Sequence, residues 1–394
     1  MSEKKQIRVG MIGYKFMGKA HSLAYRNLPF FFDVGVQPIL QAVAGRDEEG
    51  VKAAAETLGF ASYETDWRRL IERDDIDVID IVTPNNTHAE MAIAAAEAGK
   101  HVLCEKPLAM TVEQTERMLE ACQKNNVVHM VCHSYRYAPA VQFAKRLIES
   151  GRLGKIHHIR AQYLQDWIMD PSFPLSWRLS KEVSGSGTLG DIAAHSIDLS
   201  RFLVGELTEV VSMMETLVKE RPIADSTGGL SAKGSTSGEL GKVDVDDAVA
   251  FLARFDNGAL GVFEATRFAG GNRNGNRFEI NGSKGSIKWD MENMNNLQVY
   301  FADDEEGLQG FRTINCTEEH HPFAGNYWPA GHIIGYEHTF INLVYDFVDG
   351  IKKGESPSPN FEDGFRNQVV LHAIEESAKR KGWVDISEFL KVNA

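Results

Sequence analysis

The stretch Arg8–Tyr25, RVGMIGYKFMGKAHSLAY, decides the fold of the first half of the chain. Apolar residues lead into a tight segment bounded by Gly13 and Gly18, and a helix-compatible run follows from Lys19. A strand, a glycine turn and a helix in this order open a βαβ unit whose helix N-terminus receives a pyrophosphate. The usual pattern has a glycine where this sequence has Lys15. The stretch predicts a dinucleotide site with altered phosphate contacts, and a turn without ligand stays the alternative.

Length, charge and cysteine usage limit the class of protein. The 394 residues are too many for one ordinary core and predict two domains, with three as the alternative. A formal net charge of −13 argues against a nucleic-acid or anionic membrane partner. The sequence has no apolar run near the roughly 20 residues that cross a bilayer and no signal-peptide pattern at its start. The four cysteines form no C-x-x-C pair, which predicts reduced thiols and a cytoplasmic protein.

The first third of the chain alternates short apolar strands with helices. This alternation predicts a doubly wound parallel sheet, an α/β Rossmann domain, over residues 1–135. Ligands of such sheets lie outside the carboxyl ends of the strands. The segments predicted at those ends are Gly13, Gly45-Arg46, Thr83-Pro84-Asn85 and Glu105-Lys106.

The remaining chain, residues 136–394, is predicted to form an α+β domain for substrate binding and oligomerisation. Successive strands separated by turns such as Asp256-Asn257-Gly258 indicate a largely antiparallel open sheet. A helix is predicted at 191–204, and two terminal helices at 336–349 and 362–380. The polar segment 224–242 is predicted to be a mobile loop, with a disordered insert as the alternative. Strands are predicted at 156–164, 210–218, 248–255, 259–267, 278–281, 286–289 and 297–301.

Two motifs carry groups suited to proton transfer. Lys106 follows a predicted parallel strand, where its ammonium group can orient a substrate hydroxyl and favour its deprotonation. Asp191 and His195 are four residues apart, hence on one helix face, and form a candidate general-base pair. A surface lysine and a helical salt bridge are the structural alternatives, and a metal site that includes Asp198 is a further one. We predict no metal.

Taken together, these motifs resemble the glucose–fructose oxidoreductase, inositol dehydrogenase and rhizopine catabolism (Gfo/Idh/MocA) family. The resemblance covers nearly the whole chain and includes the change to a β-rich second half. Three phrases, at 16–22, 163–167 and 264–267, are most similar to the levoglucosan and inositol dehydrogenase branch. The motifs that carry the resemblance are Gly13–Gly18 with His21, Thr83-Pro84-Asn85 with His88, Glu105-Lys106-Pro107, and Asp191-x-x-x-His195 with Asp198.

The resemblance implies hydride transfer from a secondary hydroxyl carbon of a sugar, anhydrosugar or cyclitol to a nicotinamide ring. It assigns catalytic roles to three residues: Lys106 steadies the reacting hydroxyl, His195 accepts its proton, and Asp191 orients the substrate. The expected cofactor-binding residues are Gly13, Lys15, Phe16, Met17, Gly18, Arg46, Thr83, Pro84, Asn85, His88, Glu105 and Lys106. The expected substrate contacts are Tyr135, Arg136, Asp166, Trp167, Trp177, Arg178 and Arg267.

Substrate identity is left open by the sequence around Tyr135. The family has an Asn-Tyr-Arg-Arg stretch where this chain reads His133-Ser134-Tyr135-Arg136-Tyr137. For Asp166, Trp167, Trp177, Arg178 and Arg267, a structural role is an equal alternative to a sugar contact.

The choice between NAD and NADP also stays open. An acid after the second strand binds the NAD ribose, whereas an arginine there accommodates the NADP phosphate. This chain has Gly45-Arg46 followed by Asp47, so the charge favours NADP while the resembling branch favours NAD.

The leading hypothesis is a cytoplasmic NAD(P)-dependent dehydrogenase. An NAD-dependent glycosidase that oxidises its sugar transiently is the alternative, and a dinucleotide-binding sensor without activity is a third reading. By analogy with the family, a homodimer or homotetramer is expected. An apolar face at Val249, Phe251, Ala253 and Phe255 fits a subunit interface and fits burial under a helix equally well.

Overall fold

The computed structural model describes residues 5–223 and 238–390. They divide into two compact units, the first made of residues up to Tyr137 together with Ile334–Phe365. The second unit contains Ala138–Ile333 and the residues from Arg366 onward. None of the helices in these described ranges has the length and apolar character that a membrane span requires.

The helices and strands are numbered in chain order. The strands are β1 (Lys5–Ile12), β2 (Val36–Ala44), β3 (Ser62–Glu64), β4 (Val78–Ile81), β5 (His101–Cys104), β6 (His129–Val131), β7 (Ile156–Leu164), β8 (Leu207–Glu215), β9 (Glu220–Pro222), β10 (Leu240–Lys242), β11 (Ala248–Phe255), β12 (Leu260–Thr266), β13 (Gly275–Gly282), β14 (Gly285–Asp290), β15 (Asn296–Phe301), β16 (Arg312–Asn315) and β17 (Val384–Asp385). The α-helices are α1 (Phe16–Phe31), α2 (Glu48–Leu58), α3 (Trp67–Glu72), α4 (His88–Glu97), α5 (Val112–Lys124), α6 (Pro139–Glu149), α7 (Lys181–Ser184), α8 (Ala194–Leu203), α9 (Tyr336–Lys353), α10 (Phe361–Arg380) and α11 (Ser387–Leu390).

The first unit contains a six-stranded sheet in the order β3-β2-β1-β4-β5-β6. Its strand pairs are all parallel, which confirms the predicted doubly wound sheet. All four residues of β4 are buried, as expected of a central strand covered on both faces. The strand order reverses between β1 and β4, so the carboxyl ends of these two strands form the crevice where ligands of this fold bind.

Helix α9 belongs to the first unit although it comes late in the chain. The Phe340 ring lies 5.4 Å from the imidazole of His21 on α1, and the Tyr345 ring stacks on Phe32 at 4.4 Å. All residues after 135 are predicted above to belong to the second domain, whereas these contacts group Ile334–Phe365 with the first unit. The difference arises because long-range aromatic packing decides which unit an amphipathic helix joins.

The second unit is built on a nine-stranded sheet in the order β16-β15-β14-β13-β7-β12-β11-β8-β17. Strands β7 and β12 pair in parallel and the other neighbours are antiparallel, which confirms the predicted largely antiparallel sheet. Along β11 the alternating residues Val249, Phe251, Ala253 and Phe255 are buried. The Phe251 ring stacks on Phe263 of β12 at 4.4 Å, so this face is core within the unit.

The predicted mobile loop at 224–242 lies largely outside the described residues. Its last part is described, and Leu240–Lys242 forms β10, which pairs antiparallel with β9. This end of the segment is therefore a strand and not a loop.

Candidate active site

Both outer glycines of the turn between β1 and α1 are required for steric reasons. Gly13 has a φ of +102°, and a Cβ there would lie 2.9 Å from the Val82 carbonyl oxygen. A Cβ on Gly18 would lie 2.9 Å from the Gly13 carbonyl oxygen. Lys15 has an ordinary φ of −78° and an exposed side chain, so the backbone tolerates lysine at the middle position.

The start of α1 is suited to an anionic group. The first residue of this helix, Phe16, is 56% exposed, and the preceding Lys15 is exposed as well. Met17 is half-buried and Gly18 is buried beneath the turn. Close packing of the two glycines and an exposed helix start fit a dinucleotide pyrophosphate at this position.

The side chain of Tyr14 packs against the residues that follow β2, a contact that the sequence did not predict. A Cβ on Gly45 would overlap the Tyr14 ring, and a Cβ on Gly50 would lie 2.6 Å from its hydroxyl. Burial, followed by the charge and hydrogen bond of Asp47, raises the pKa of Tyr14. The aromatic residue after Gly13 was the available signal. Arg46 is exposed beside this cluster.

His88 joins the loops that follow β4 and β5. Its Nδ1 lies 3.0 Å from the Pro107 carbonyl oxygen and its Nε2 lies 2.9 Å from that of Thr83. Burial lowers the pKa of His88. Pro84 is half-buried and Asn85 is buried at the start of a short helical turn. These contacts support a structural role for His88 in holding the two loops together.

A buried polar chain connects α1 to Lys106. The Nδ1 atom of His21 lies 3.0 Å from both carboxylate oxygens of Asp80, and its Nε2 lies 3.0 Å from Oε1 of Glu105. The other oxygen of Glu105, Oε2, accepts the backbone N–H of Lys106 at 3.0 Å. The Lys106 side chain is half-buried. Asp80, buried in β4, is a partner that the sequence analysis missed, because no local pattern pairs it with His21.

The charges of His21, Asp80 and Glu105 stabilise one another. Burial opposes a charged imidazole, but Asp80 overcomes it and holds the pKa of His21 well above its usual range. Burial raises the pKa of Glu105, but the hydrogen bond and charge of His21 outweigh it and the net direction is down. Among the described residues, the one group with metal-ligand atoms within 4.8 Å of one another is His21, Glu105 and Cys132. Hydrogen bonding accounts for the closeness of its histidine and carboxylate.

The residues that follow β6 are buried. The guanidinium of Arg136, 3% exposed, lies 3.3 Å from Oδ1 of Asp363 and donates to Ser358 at 2.9 Å. The buried ring of Tyr135 lies edge-on to Tyr336 at 6.3 Å. These contacts of Arg136 fit a structural role, and its substrate contact stays a prediction.

In the second unit, the helix predicted at 191–204 begins with a π-helical turn, Leu189–Ala193, before α8. A Cβ on Gly187 would overlap the Asp246 carbonyl oxygen, so only glycine fits. The Asp246 carboxylate accepts the N–H groups of Gly187 and Leu189 at 2.8 Å each. This buried residue, also missed, fixes the turn that carries Asp191. The Asp246-Asp247 pair before β11 was the available signal.

Arg267 contacts two other predicted site residues, Asp191 and Trp167. It is fully buried, and its Nη1 lies 3.4 Å from Oδ2 of Asp191. Its Nη2 donates to the Asp246 carbonyl oxygen at 3.3 Å, and its guanidinium carbon lies 5.6 Å from the centre of the Trp167 ring. The structure therefore brings together a carboxylate, a guanidinium and an indole, groups that suit a polyhydroxylated ring.

His195 is buried on α8, and its imidazole lies close to the carboxyl end of β7. Its ring lies 5.9 Å from Tyr163, whose hydroxyl donates to Asn274 at 2.6 Å. Gln165 also donates to Asn274, at 3.1 Å, and accepts the Trp167 indole N–H at 2.9 Å. This hydrogen-bonded chain orients Tyr163 and Trp167 together. Asn274 gave no signal in the sequence.

The remaining predicted contacts fall into two places. The Asp166 carboxylate accepts the Gly271 N–H at 3.3 Å and pairs with the exposed Arg273 at 3.2 Å. It therefore anchors the loop between β12 and β13. The Arg178 guanidinium stacks on Trp177 at 4.3 Å. Burial lowers the pKa of Arg178, and the charge of Asp191 opposes this shift.

Comparison with known proteins covers both units. The family model described as an oxidoreductase family with an NAD-binding Rossmann fold matches residues 7–133, and the GFO/IDH/MocA C-terminal domain matches 141–288. Levoglucosan dehydrogenase of Pseudarthrobacter phenanthrenivorans is 47% identical over 98% of this chain and 99% of its own. Myo-inositol 2-dehydrogenase of Thermotoga maritima is 30% identical over 98% of this chain and all of its own, 100%.

A solved structure agrees with these matches. Levoglucosan dehydrogenase in complex with NADH and levoglucosan has a TM-score of 0.91 at 46% identity and covers 97% of this chain and 99% of that one. The NAD-binding fold of the first unit confirms the expected nicotinamide dinucleotide. The chain belongs to the Gfo/Idh/MocA family of oxidoreductases.

Proposed function

We propose that this protein oxidises a secondary hydroxyl of levoglucosan or a related anhydrosugar or cyclitol, with NAD as the hydride acceptor. The observation that carries the proposal is the 47% identity to levoglucosan dehydrogenase over nearly the whole chain. The group of Asp191, Arg267 and Trp167 supports it, because it offers charged and aromatic contacts to a sugar ring.

In this proposal three residues bind the reacting hydroxyl and remove its proton, each with a separate role. Lys106, whose backbone is held by Glu105, steadies the reacting hydroxyl through its ammonium group. His195 takes the hydroxyl proton, because imidazole titrates near neutral pH. Asp191, held against Arg267, orients the hydroxyls. When bound, the oxidised nicotinamide accepts the hydride.

Substrate contacts are proposed for Trp167, Arg267, Trp177, Arg178 and Tyr135. The indole of Trp167 is fixed by Gln165 and faces the Arg267 guanidinium, which gives a rigid apolar surface beside a charge. Arg178 stacked on Trp177 repeats this combination. Such pairs can pack on sugar C–H faces and bind vicinal hydroxyls.

NAD is proposed over NADP on two grounds. A solved structure of levoglucosan dehydrogenase, 46% identical to this chain, contains NADH. In this chain Asp47, an acid, lies beside Tyr14 at the end of β2, where an added 2′-phosphate would meet its negative charge. The exposed Arg46 is then available to stack on the adenine.

Absorbance at about 340 nm, where the reduced nicotinamide absorbs, tests the activity. The panel contains levoglucosan, myo-inositol and glucose, each with NAD and with NADP. We expect NADH formation with at least one substrate and slower reaction with NADP. Failure of every combination contradicts the proposal. Glycoside cleavage without net NADH formation would favour the glycosidase alternative.

Two variants test the assigned roles. Lys106→Ala and His195→Ala should each lower kcat by 10²-fold or more, the scale of general acid–base catalysis. NAD affinity, measured by quenching of tryptophan fluorescence, should stay within about threefold for His195→Ala, less than about 0.7 kcal/mol. Retained turnover in both variants would refute the catalytic assignment.

We also propose that the protein forms a homodimer or homotetramer through the outer face of the second sheet. Exposed apolar residues lie on three neighbouring strands of this face: Met213 on β8, Leu252 on β11, and Leu260 and Val262 on β12. Leu252 pairs with Val262 in register, so the patch is continuous. A cytoplasmic location is proposed because all four cysteines are free, buried thiols.

A further inference from the structure

His21 lies at the centre of the buried polar chain in the first unit. Its imidazole is 1% exposed, and its partners Asp80 and Glu105 are 0% and 5% exposed. Both ring nitrogens are used, one toward each carboxylate. A histidine that only filled core space would not need two buried carboxylates, because each adds a desolvation cost.

We propose that His21 is a positioning residue for Lys106. The chain of contacts runs from Asp80 through His21 to one oxygen of Glu105, while the other oxygen accepts the Lys106 backbone N–H. His21 thereby sets the orientation of the Glu105 carboxylate, and Glu105 sets the peptide plane from which the Lys106 side chain extends. The inference rests on the proposed function insofar as Lys106 acts on the substrate hydroxyl.

Two further side chains of this unit contact the imidazole of His21, and neither is a cation. The Cys132 Sγ atom lies 3.4 Å from Nε2 of His21, and the Phe340 ring packs on the imidazole at 5.4 Å. Burial raises the pKa of Cys132 to about 12, so this thiol is neutral and cannot replace a cation. Without His21, two carboxylates would remain in a buried space.

Two conservative replacements separate positioning from mere packing. In His21→Gln the amide nitrogen can reach the position of Nε2 and donate to Glu105. In His21→Asn the shorter amide reaches only the position of Nδ1, beside Asp80. Both replacements remove the imidazole, so both should lower the melting temperature, whereas only His21→Asn breaks the link to Glu105.

Amide hydrogen exchange of Lys106 in the cofactor-free enzyme is the first readout, and it does not depend on activity. We expect exchange in His21→Gln to remain close to wild type and exchange in His21→Asn to be at least about tenfold faster, the factor for about 1.4 kcal/mol of lost protection. The control is His129→Asn. His129 is also buried in this unit, but its Nδ1 accepts the Phe361 N–H at 3.1 Å.

Steady-state kinetics with levoglucosan and NAD is the second readout. We expect kcat to fall on the order of 10²-fold in His21→Asn, the cost of a 1 Å misplacement, with a smaller loss in His21→Gln and little change in KM for NAD. Equal effects of the two variants on Lys106 exchange would overturn the positioning role. If wild type has no turnover, the proposed function fails, while the exchange result still decides whether His21 positions Lys106.

Discussion

Replacing Arg267 with methionine should destabilise the second unit strongly. Methionine keeps an unbranched apolar stem, shorter than that of arginine, but removes the charge that faces Asp191 at 3.4 Å and the donor to the Asp246 carbonyl at 3.3 Å. Removing one partner of a buried ion pair costs about 3–5 kcal/mol. Because the Asp191 side chain is 27% exposed, water offsets part of this loss and the lower end applies.

A loss of about 3 kcal/mol converts to a lower melting temperature by about 6–12 °C for a unit of this size. Thermal unfolding followed by circular dichroism gives the shift, and hydrogen exchange at the Gly187 and Leu189 amides reports on the local turn that Asp246 holds. Both amides should exchange faster in the variant.

Arg160→Met is the matched control. Its side chain is 58% exposed and lies 3.6 Å from Glu279, a surface pair that contributes about 1 kcal/mol or less. If Arg267→Met melts within about 2 °C of wild type, or if the two variants shift equally, Arg267 does not hold the site as inferred from its buried contacts.

Three further predictions concern the turn, the buried histidine and the outer sheet face. Gly18→Ala places a Cβ 2.9 Å from the Gly13 carbonyl oxygen and should weaken NAD binding at least about tenfold by calorimetry, whereas Gly310→Ala, with open space, should not. The pKa of His21 lies above the roughly 6.5 of an unfolded chain, so its stabilisation is fully present below about pH 6.5 and is lost as pH rises through the folded value. Urea unfolding should therefore show the gap between wild type and His21→Gln shrinking at alkaline pH, and a gap that widens would contradict the ion pair. Leu252→Asp combined with Val262→Asp should lower the mass measured by light scattering, and an unchanged mass would exclude this face as the interface.

Local patterns were sufficient to predict much of the fold. Strands such as Ala248–Phe255 were predicted with the bounds that the structure has, because alternating apolar residues pack on one face. The turn after β1 was predicted from its two outer glycines, and both are sterically required. These features depend on residues that are close in the sequence.

Features that depend on distant residues were not predictable. His21 and Asp80 are separated by 59 positions, and only the parallel sheet brings them together. The π-helical turn at Leu189–Ala193 adds a residue to the helix without any local signature. The contacts of Arg136 with Asp363 and Ser358 also join distant parts of the sequence.

The most direct test of the dehydrogenase assignment measures both products of one reaction. The enzyme is incubated with levoglucosan and NAD, NADH is measured at about 340 nm, and the sugar product is identified by mass spectrometry. We predict a ketone that lacks two hydrogens, formed in equal amount with NADH, and loss of both products in Lys106→Ala. Absence of NADH with a full panel of sugars and cyclitols, or a sugar product with no change in oxidation state, would contradict the account.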